Sequence, residues 1–247
     1  MRTIKIGRKT VEFYDAIDEL PIRRYHKFNK YMLVDSGIGS DLNDINSHIA
    51  KVSRYISKKD EKNALAQLEN LRTSLYMIAE ETNVRHLSFA ILVKSINGKE
   101  VTDLSDENIK RIADSFENEK KGFIDRVIDS IKKKIDMELV VYFPGQFEDA
   151  QVKEYHDRIR NRTLLILSEI KTNKKETDKI NKIDDFLMGM VNPKSFSGKE
   201  SVEILHDKQF EEACTFLESE TGTRVDDLTT MQFFSKFEYI KKKHSKK

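Results

Sequence analysis

The side chains best suited to bind a metal or to act as a nucleophile are six histidines and one cysteine. The histidines are His26, His48, His86, His156, His206 and His244. No two of them are three or four residues apart, the spacing that places two imidazoles on one face of a helix, so no local zinc-binding motif is present. Cys214 falls on an apolar stripe with Phe210 and Leu217, which favours a buried structural thiol over a nucleophile. We therefore predict no catalytic residue, no metal site and no cofactor.

Two glycine-containing segments could in principle bind phosphate. Residues 7–10 (Gly-Arg-Lys-Thr) lack the earlier glycine of a phosphate-binding loop, and the sequence after them continues as a strand instead of a helix. Residues 36–40 (Ser-Gly-Ile-Gly-Ser) lack a preceding strand. We predict a hairpin turn at the first segment and a helix–helix loop at the second.

Two basic segments are candidates for contact with nucleic acid or an acidic partner. The first is Arg23, Lys27 and Lys30, which share one helical face opposite an apolar stripe. The second is the tail, residues 241–247, whose five lysines are Lys241, Lys242, Lys243, Lys246 and Lys247. The formal net charge of the chain is +2, and without the tail acidic residues outnumber basic ones, so the body has no overall attraction to DNA. A solvated helix face is the favoured interpretation of the first segment, and DNA or partner contact is the alternative.

Composition indicates what kind of elements carry these residues. Only 9 glycines and 3 prolines occur in 247 residues, so long uninterrupted helices are expected. We predict a mainly α protein, a multi-helix bundle with two short β-hairpins and a C-terminal helical hairpin. The predicted segments are an N-terminal hairpin arm (1–14), a helical body (15–190) with a hairpin near 94–102, a helical hairpin (200–240) and the basic tail (241–247).

Three predictions concern packing. Leu42, Ile45, Leu68, Leu71 and Leu75 should form the core between the second and third helices. The N-terminal hairpin is too short to be stable alone, so we expect it to dock on a neighbouring subunit or a partner protein, with coverage by the chain's own helices as the alternative. The lysine tail should extend into solvent and contribute nothing to folding.

Four stretches resemble virion and assembly proteins of tailed bacteriophages, notably crAss-like and other phages of Bacteroidetes. The stretches are residues 17–32 with 35–40, the apolar segment running into 93–99, residues 210–214 and residues 227–240. Together they cover about half the chain and contain no chemical motif, so the resemblance carries over no functional residues.

The resemblance implies a non-enzymatic virion protein, a connector or ring subunit of the head–neck–tail region. Such a protein would be assembled in the host bacterial cytoplasm and would contact copies of itself and other phage structural proteins, with no membrane involved. A tail-assembly chaperone absent from the mature particle is one alternative. A packaging factor that contacts DNA through the basic segments is another.

Overall fold

The computed structural model describes residues 2–38, 42–79, 83–117, 119, 122–147, 150–190 and 201–244. The chain forms two compact units, one of residues 1–142 with 194–247 and the other of residues 143–193. The predicted mainly α fold is confirmed. The helices of the described chain, in order, are α1 (Ile22–Ile38), α2 (Leu42–Ser57), α3 (Glu61–Ala79), α4 (Val84–Leu92), α5 (Asp106–Asp114), α6 (Phe123–Tyr142), α7 (Pro144–Phe147), α8 (Ala150–Thr172), α9 (Thr177–Met190), α10 (Val202–Thr221) and α11 (Thr230–His244).

The two predicted hairpins join into one antiparallel sheet. Its described strands are β1 (Arg2–Ile6), β2 (Lys9–Phe13), β3 (Val93–Ile96) and β4 (Lys99–Glu100), and they lie in that spatial order. Positive φ angles of 53° at Asn97 and 78° at Gly98 are those of the tight turn that an Asn-Gly pair favours between strands.

The N-terminal hairpin is therefore part of the sheet and not a separate arm, which agrees with the alternative of coverage by its own chain. Its docking on a neighbour stays a prediction. Strand β2 pairs with β3, and Val11 lies opposite Ile96. Val11 and Phe13 are fully buried, and the Phe13 ring packs edge-on against Phe89 with ring centroids 5.1 Å apart. The chain's own sheet and helices cover the apolar side of the hairpin, which a two-stranded ribbon needs in order to be stable.

Helix α4 lies at the centre of the first unit. Its residues Phe89, Ala90, Ile91 and Leu92 are all buried, as expected for a helical turn that is apolar on every side. Asn83 begins the helix, because its side-chain oxygen accepts a hydrogen bond of 3.1 Å from the backbone N–H of His86. The buried faces of α1, α5 and α6 supply much of the surrounding core, with Phe28, Ile109, Ile112, Ile128 and Ile131 among its members.

The C-terminal helical hairpin is present and is attached to α1. Helix α10 ends at Gly222 in the left-handed conformation, with φ of 65°. Thr230, at the start of α11, donates hydrogen bonds of 2.8 Å from both its backbone N–H and its Oγ1 to the carbonyl oxygen of Leu20. The C-terminal hairpin is thus part of the first unit.

The predicted extended tail is corrected for residues 241–244. These residues continue α11, and Lys243 Nζ lies 3.7 Å from Glu220 Oε2. Lysines in the last turn of a helix interact favourably with its unpaired carbonyl groups, which explains why the helix reaches this far. Residues 245–247, with Lys246 and Lys247, lie outside the described residues. Of the predicted helix–helix loop at residues 36–40, residues 36–38 instead continue α1, and residues 39–40 lie outside the described residues.

The predicted core between α2 and α3 is largely wrong. Leu68 and Leu75 are exposed, and Ile45 and Leu71 are only partly buried, while the side chain of Leu42 lies outside the described residues. The side chains that are buried here instead are His48, Val52, Tyr55, Ala64, Gln67, Asn70 and Ser74. Each buried position on α3 comes one residue before a leucine, so the helix is rotated by about 100° from the predicted orientation.

The second unit is a pair of helices, α8 and α9, with the short α7 before them. Arg162 on α8 donates hydrogen bonds of 2.5 Å and 3.4 Å to the two carboxylate oxygens of Asp184 on α9. The guanidinium of Arg158 lies over the Phe186 ring, 4.4 Å from its centroid.

Candidate functional site

The basic stripe of α1 faces acidic residues of the same chain. Arg23 donates a hydrogen bond of 2.8 Å from Nε to Asp226 Oδ1 and forms a second ion pair with Glu211 on α10. The hydrogen bond from Arg23 lowers the pKa of Asp226. Arg23 therefore connects α1 to α10 and to the 3₁₀ turn Val225–Asp227.

The other two cations of the stripe are paired in the same way. Lys27 Nζ donates to Asp106 Oδ1 and to the carbonyl oxygen of Leu104, both at 2.7 Å. Lys30 Nζ donates to Asp207 Oδ2 at 2.6 Å. Contact of Arg23, Lys27 and Lys30 with DNA stays a prediction, and a phosphate would have to compete with carboxylates that already neutralise these charges.

Two of the described lysines of the tail also have acidic neighbours. Lys242 Nζ donates to Glu238 Oε2 at 3.3 Å, in addition to the pair between Lys243 and Glu220. Lys241 is exposed. Both pairs join surface side chains, and such pairs contribute little to stability.

One buried arginine, Arg24, is not among the residues predicted from the sequence. Arg24 is only 4% exposed, and its Nη1 donates hydrogen bonds of 2.7 Å and 3.0 Å to the carbonyl oxygens of Ile91 and Val93. Its Nη2 donates to the carbonyl oxygen of Val101. The guanidinium also lies over the Tyr14 ring, 5.2 Å from the centroid.

The environment of Arg24 explains its position. The C-terminal carbonyl groups of a helix carry a partial negative charge, and α4 ends where Arg24 donates. Burial lowers the pKa of the Arg24 guanidinium. This side chain connects α1 to the α4–β3 junction and to the segment after β4, so we assign it a structural role.

Two histidines and an aspartate form a cluster between α1 and α10. The rings of His26 and His206 are stacked, with centroids 4.4 Å apart and planes inclined by 8°. His26 also stacks on Phe210 at 3.9 Å, and its Nε2 is hydrogen-bonded to Asp207 Oδ1 at 2.8 Å. No local sequence pattern predicts this cluster, because 180 residues separate the two histidines and only the packing of α10 on α1 brings them together.

Within the described residues, His26, His206 and Asp207 are the one group of three potential metal ligands whose donor atoms lie within 4.8 Å of one another. A metal ion lies in the plane of each imidazole that binds it, and two stacked, nearly parallel rings cannot share one ion in this way. Asp207 is already hydrogen-bonded to both His26 and Lys30. The cluster as it stands is a stacking and ion-pair contact between two helices.

A groove of about 400 Å³ lies between α10 and α11. Phe216 and Phe237 line it, with ring centroids 6.2 Å apart. At its rim Glu220 lies 3.7 Å from Lys243 and 3.5 Å from His244. Lys241 also lines the groove, and its side chain is exposed.

The most unusual surface is on the α2–α3 hairpin. Its exposed side, which we call the α2–α3 outer face, consists of Ile49, Ile56, Leu65, Leu68 and Leu75. These side chains are between 44% and 63% exposed. Between the two helices, His48 Nδ1 is hydrogen-bonded to Gln67 Oε1 at 2.9 Å, so polar side chains occupy the protected side of the hairpin.

All five apolar residues lie on the same side of the hairpin. Ile49 and Ile56 each follow a buried residue of α2 by one position, and Leu65, Leu68 and Leu75 each follow a buried residue of α3 by one position. One position corresponds to a rotation of about 100° about each helix axis. Because α2 and α3 are antiparallel, the same rotation in each turns these side chains toward one common side.

No helix in the described part of the chain is long and apolar enough to cross a lipid bilayer. Comparison of the chain with protein-family models, with curated proteins and with solved structures gave no match.

Proposed function

We propose that the protein is a non-enzymatic assembly subunit that binds a protein partner through the α2–α3 outer face. The observation that carries this proposal is the inverted polarity of the hairpin. Its protected side contains the polar His48, Gln67, Asn70 and Ser74 beside Val52, Tyr55 and Ala64, while leucine and isoleucine side chains lie on its outer face. Contiguous exposed apolar surface of this kind is typical of an interaction site.

The energy available from this surface is substantial. Full burial of a leucine or isoleucine side chain is worth about 1.5–3 kcal/mol, so completing the burial of a half-exposed one is worth about 1 kcal/mol. The five residues of the α2–α3 outer face together contribute on the order of 5 kcal/mol. Such a gain offsets a useful part of the cost of association.

The specific role that we propose is a connector or ring subunit in the head–neck–tail region of a tailed bacteriophage. The resemblance of residues 17–32 with 35–40, 93–99, 210–214 and 227–240 to phage virion and assembly proteins supports it. A subunit of this kind works through extended interfaces, which agrees with an exposed apolar face on a helical hairpin.

The test is the protein composition of particles purified from a phage that encodes this chain. We expect mass spectrometry to find the chain in a fixed number of copies per particle. The variant Leu65→Glu with Leu68→Glu should be lost from particles, since it places two charges on the outer face. Lys62→Glu is the matched control, because it also adds negative charge to an exposed position of α3 but lies off that face, and it should enter particles normally.

Two results would overturn the proposal. Absence of the wild-type chain from mature particles would exclude a connector or ring subunit and favour the assembly chaperone. Normal incorporation of the double glutamate variant, with its helical circular dichroism unchanged, would show that the α2–α3 outer face is not the interface.

A further inference from the structure

We infer that the partner of the α2–α3 outer face is a second copy of this chain, packed antiparallel about a two-fold axis that crosses α3 between Leu65 and Leu68. This inference rests on the proposed function of that face as an interface. It adds the identity of the partner, the direction of packing and the residues that select it.

The spacing of the exposed residues of α3 is that of a helix-packing seam. Glu61, Leu65, Leu68, Arg72 and Leu75 follow one another at intervals of four, three, four and three residues. This alternation keeps all five side chains within one narrow stripe of the helix, as in the contact line of two packed helices. Glu61 and Arg72 are exposed along with the leucines.

The two charged residues of this stripe, Glu61 and Arg72, distinguish the possible orientations. In a parallel pair, equivalent positions meet, so Glu61 would face Glu61 of the second copy and Arg72 would face Arg72 of the second copy. In an antiparallel pair centred between Leu65 and Leu68, Glu61 faces Arg72 of the second copy, and the same contact occurs twice by symmetry. Opposite charges on the two copies of this stripe therefore meet in the antiparallel pair, and like charges meet in the parallel pair.

The apolar residues fit the same arrangement. The two-fold axis places Leu65 opposite Leu68 of the second copy, again twice. It brings Leu75 to the level of the α2–α3 turn of the second copy, where Ile56 is exposed. The two hairpins together then form a four-helix arrangement whose new core consists of the outer faces.

Arg72 is available for this contact. Its side chain is 82% exposed, and Nη1 lies 3.9 Å from Glu69 Oε2, one turn earlier on the same helix. Surface contacts of this length contribute little, so little is lost when Arg72 turns to Glu61 of the second copy.

The experiment is sedimentation velocity of the full chain over a range of protein concentrations, with charge-reversal variants. The wild type should form dimers. Glu61→Arg places arginine opposite arginine twice, and Arg72→Glu places glutamate opposite glutamate twice, so each variant should dimerise about tenfold more weakly. An equimolar mixture of the two variants should restore dimers of mixed composition, because every facing pair is then of opposite charge.

Two further variants control this experiment. Leu65→Glu should abolish the dimer, and Lys62→Glu should leave it unchanged, with the circular dichroism of both equal to that of the wild type. A wild-type chain that is monomeric at every concentration would overturn the inference. So would a dimer whose strength is the same in both charge-reversal variants and in their mixture.

The outcomes also separate this inference from the proposed function. If the wild type is monomeric but the Leu65→Glu, Leu68→Glu variant is lost from particles, the outer face binds a different protein, so the inference fails and the proposed function holds. If the dimer forms as described but that variant still enters particles, the inference holds and the proposed function fails.

Discussion

Replacement of Arg24 by methionine should be among the most destabilising substitutions in α1. Methionine replaces the aliphatic part of the arginine side chain with an apolar chain of similar length. It lacks the N–H groups that donate to the carbonyl oxygens of Ile91, Val93 and Val101. Each buried carbonyl group left without a partner lowers the free energy of unfolding by about 1–3 kcal/mol. Part of this loss is offset, because the variant no longer buries the charge of the guanidinium. We expect a net loss of about 2–4 kcal/mol in the free energy of unfolding, which corresponds to a fall of roughly 5–15 °C in Tm.

The assay is urea denaturation followed by circular dichroism, with thermal unfolding as a second measurement. Arg23→Met is the matched control, because Arg23 is the neighbouring arginine and its ion pairs lie at the surface, where they are worth less than about 1 kcal/mol. Arg24→Lys should fall between the wild type and Arg24→Met, since an ammonium group cannot reproduce the planar fork of a guanidinium. An Arg24→Met variant within about 0.5 kcal/mol of the wild type, the scatter of ordinary surface substitutions, would refute the assigned role.

Three further predictions follow from burial and charge. Burial raises the pKa of Cys214 to about 11, so in the folded protein this thiol should react with a disulfide reagent at pH 8 much more slowly than in denaturant, and equal rates would contradict its buried position. Leu71→Ala should cost about 1–2 kcal/mol in denaturant titration, below the 2–5 kcal/mol of a fully buried leucine, because Leu71 is only partly buried. The hydrogen bond from Lys27 lowers the pKa of Asp106 in the folded state, so the pair stabilises the protein above the ordinary carboxyl pKa and this contribution is lost as the pH falls through the lowered value. Asp106→Asn should therefore be less stable than the wild type at pH 7, and this difference should shrink as the pH falls through the lowered pKa. A difference that stays constant as the pH falls would rule out the ion pair as its cause.

Interactions between residues close in sequence could be predicted from the sequence alone. Asn97 and Gly98 determine the turn between β3 and β4, because only a few residue types adopt two successive positive φ angles at low cost. The 3.6-residue apolar period and the scarcity of glycine and proline predicted long helices. Gly222 ends α10 in the left-handed conformation, within the predicted C-terminal helical hairpin (200–240).

Interactions between distant residues were decided by the tertiary structure. Strand β2 pairs with β3, about 80 residues further along the chain, and this pairing converts an expected arm into part of a sheet. The hydrogen bonds from Arg24 to the carbonyl groups of Ile91, Val93 and Val101 also depend on the packing of distant segments. The stripe of Arg23, Lys27 and Lys30 was correctly placed on one helical face, but no local pattern shows that carboxylates from α5, α10 and the turn before α11 neutralise it.

The orientation of α2 and α3 shows most clearly the difference between what the sequence specifies and what the tertiary structure decides. The period of Leu68, Leu71 and Leu75 specifies an amphipathic helix but not which neighbour its apolar side will meet. Rotation of α3 about its axis by one residue position leaves the helix unchanged. It places Gln67, Asn70 and Ser74 on the protected side instead of the leucines. The sequence by itself determined that α3 carries an apolar stripe, and only the tertiary structure decided that much of this stripe remains exposed, because the burial of a helix face depends on contacts with residues distant in the chain.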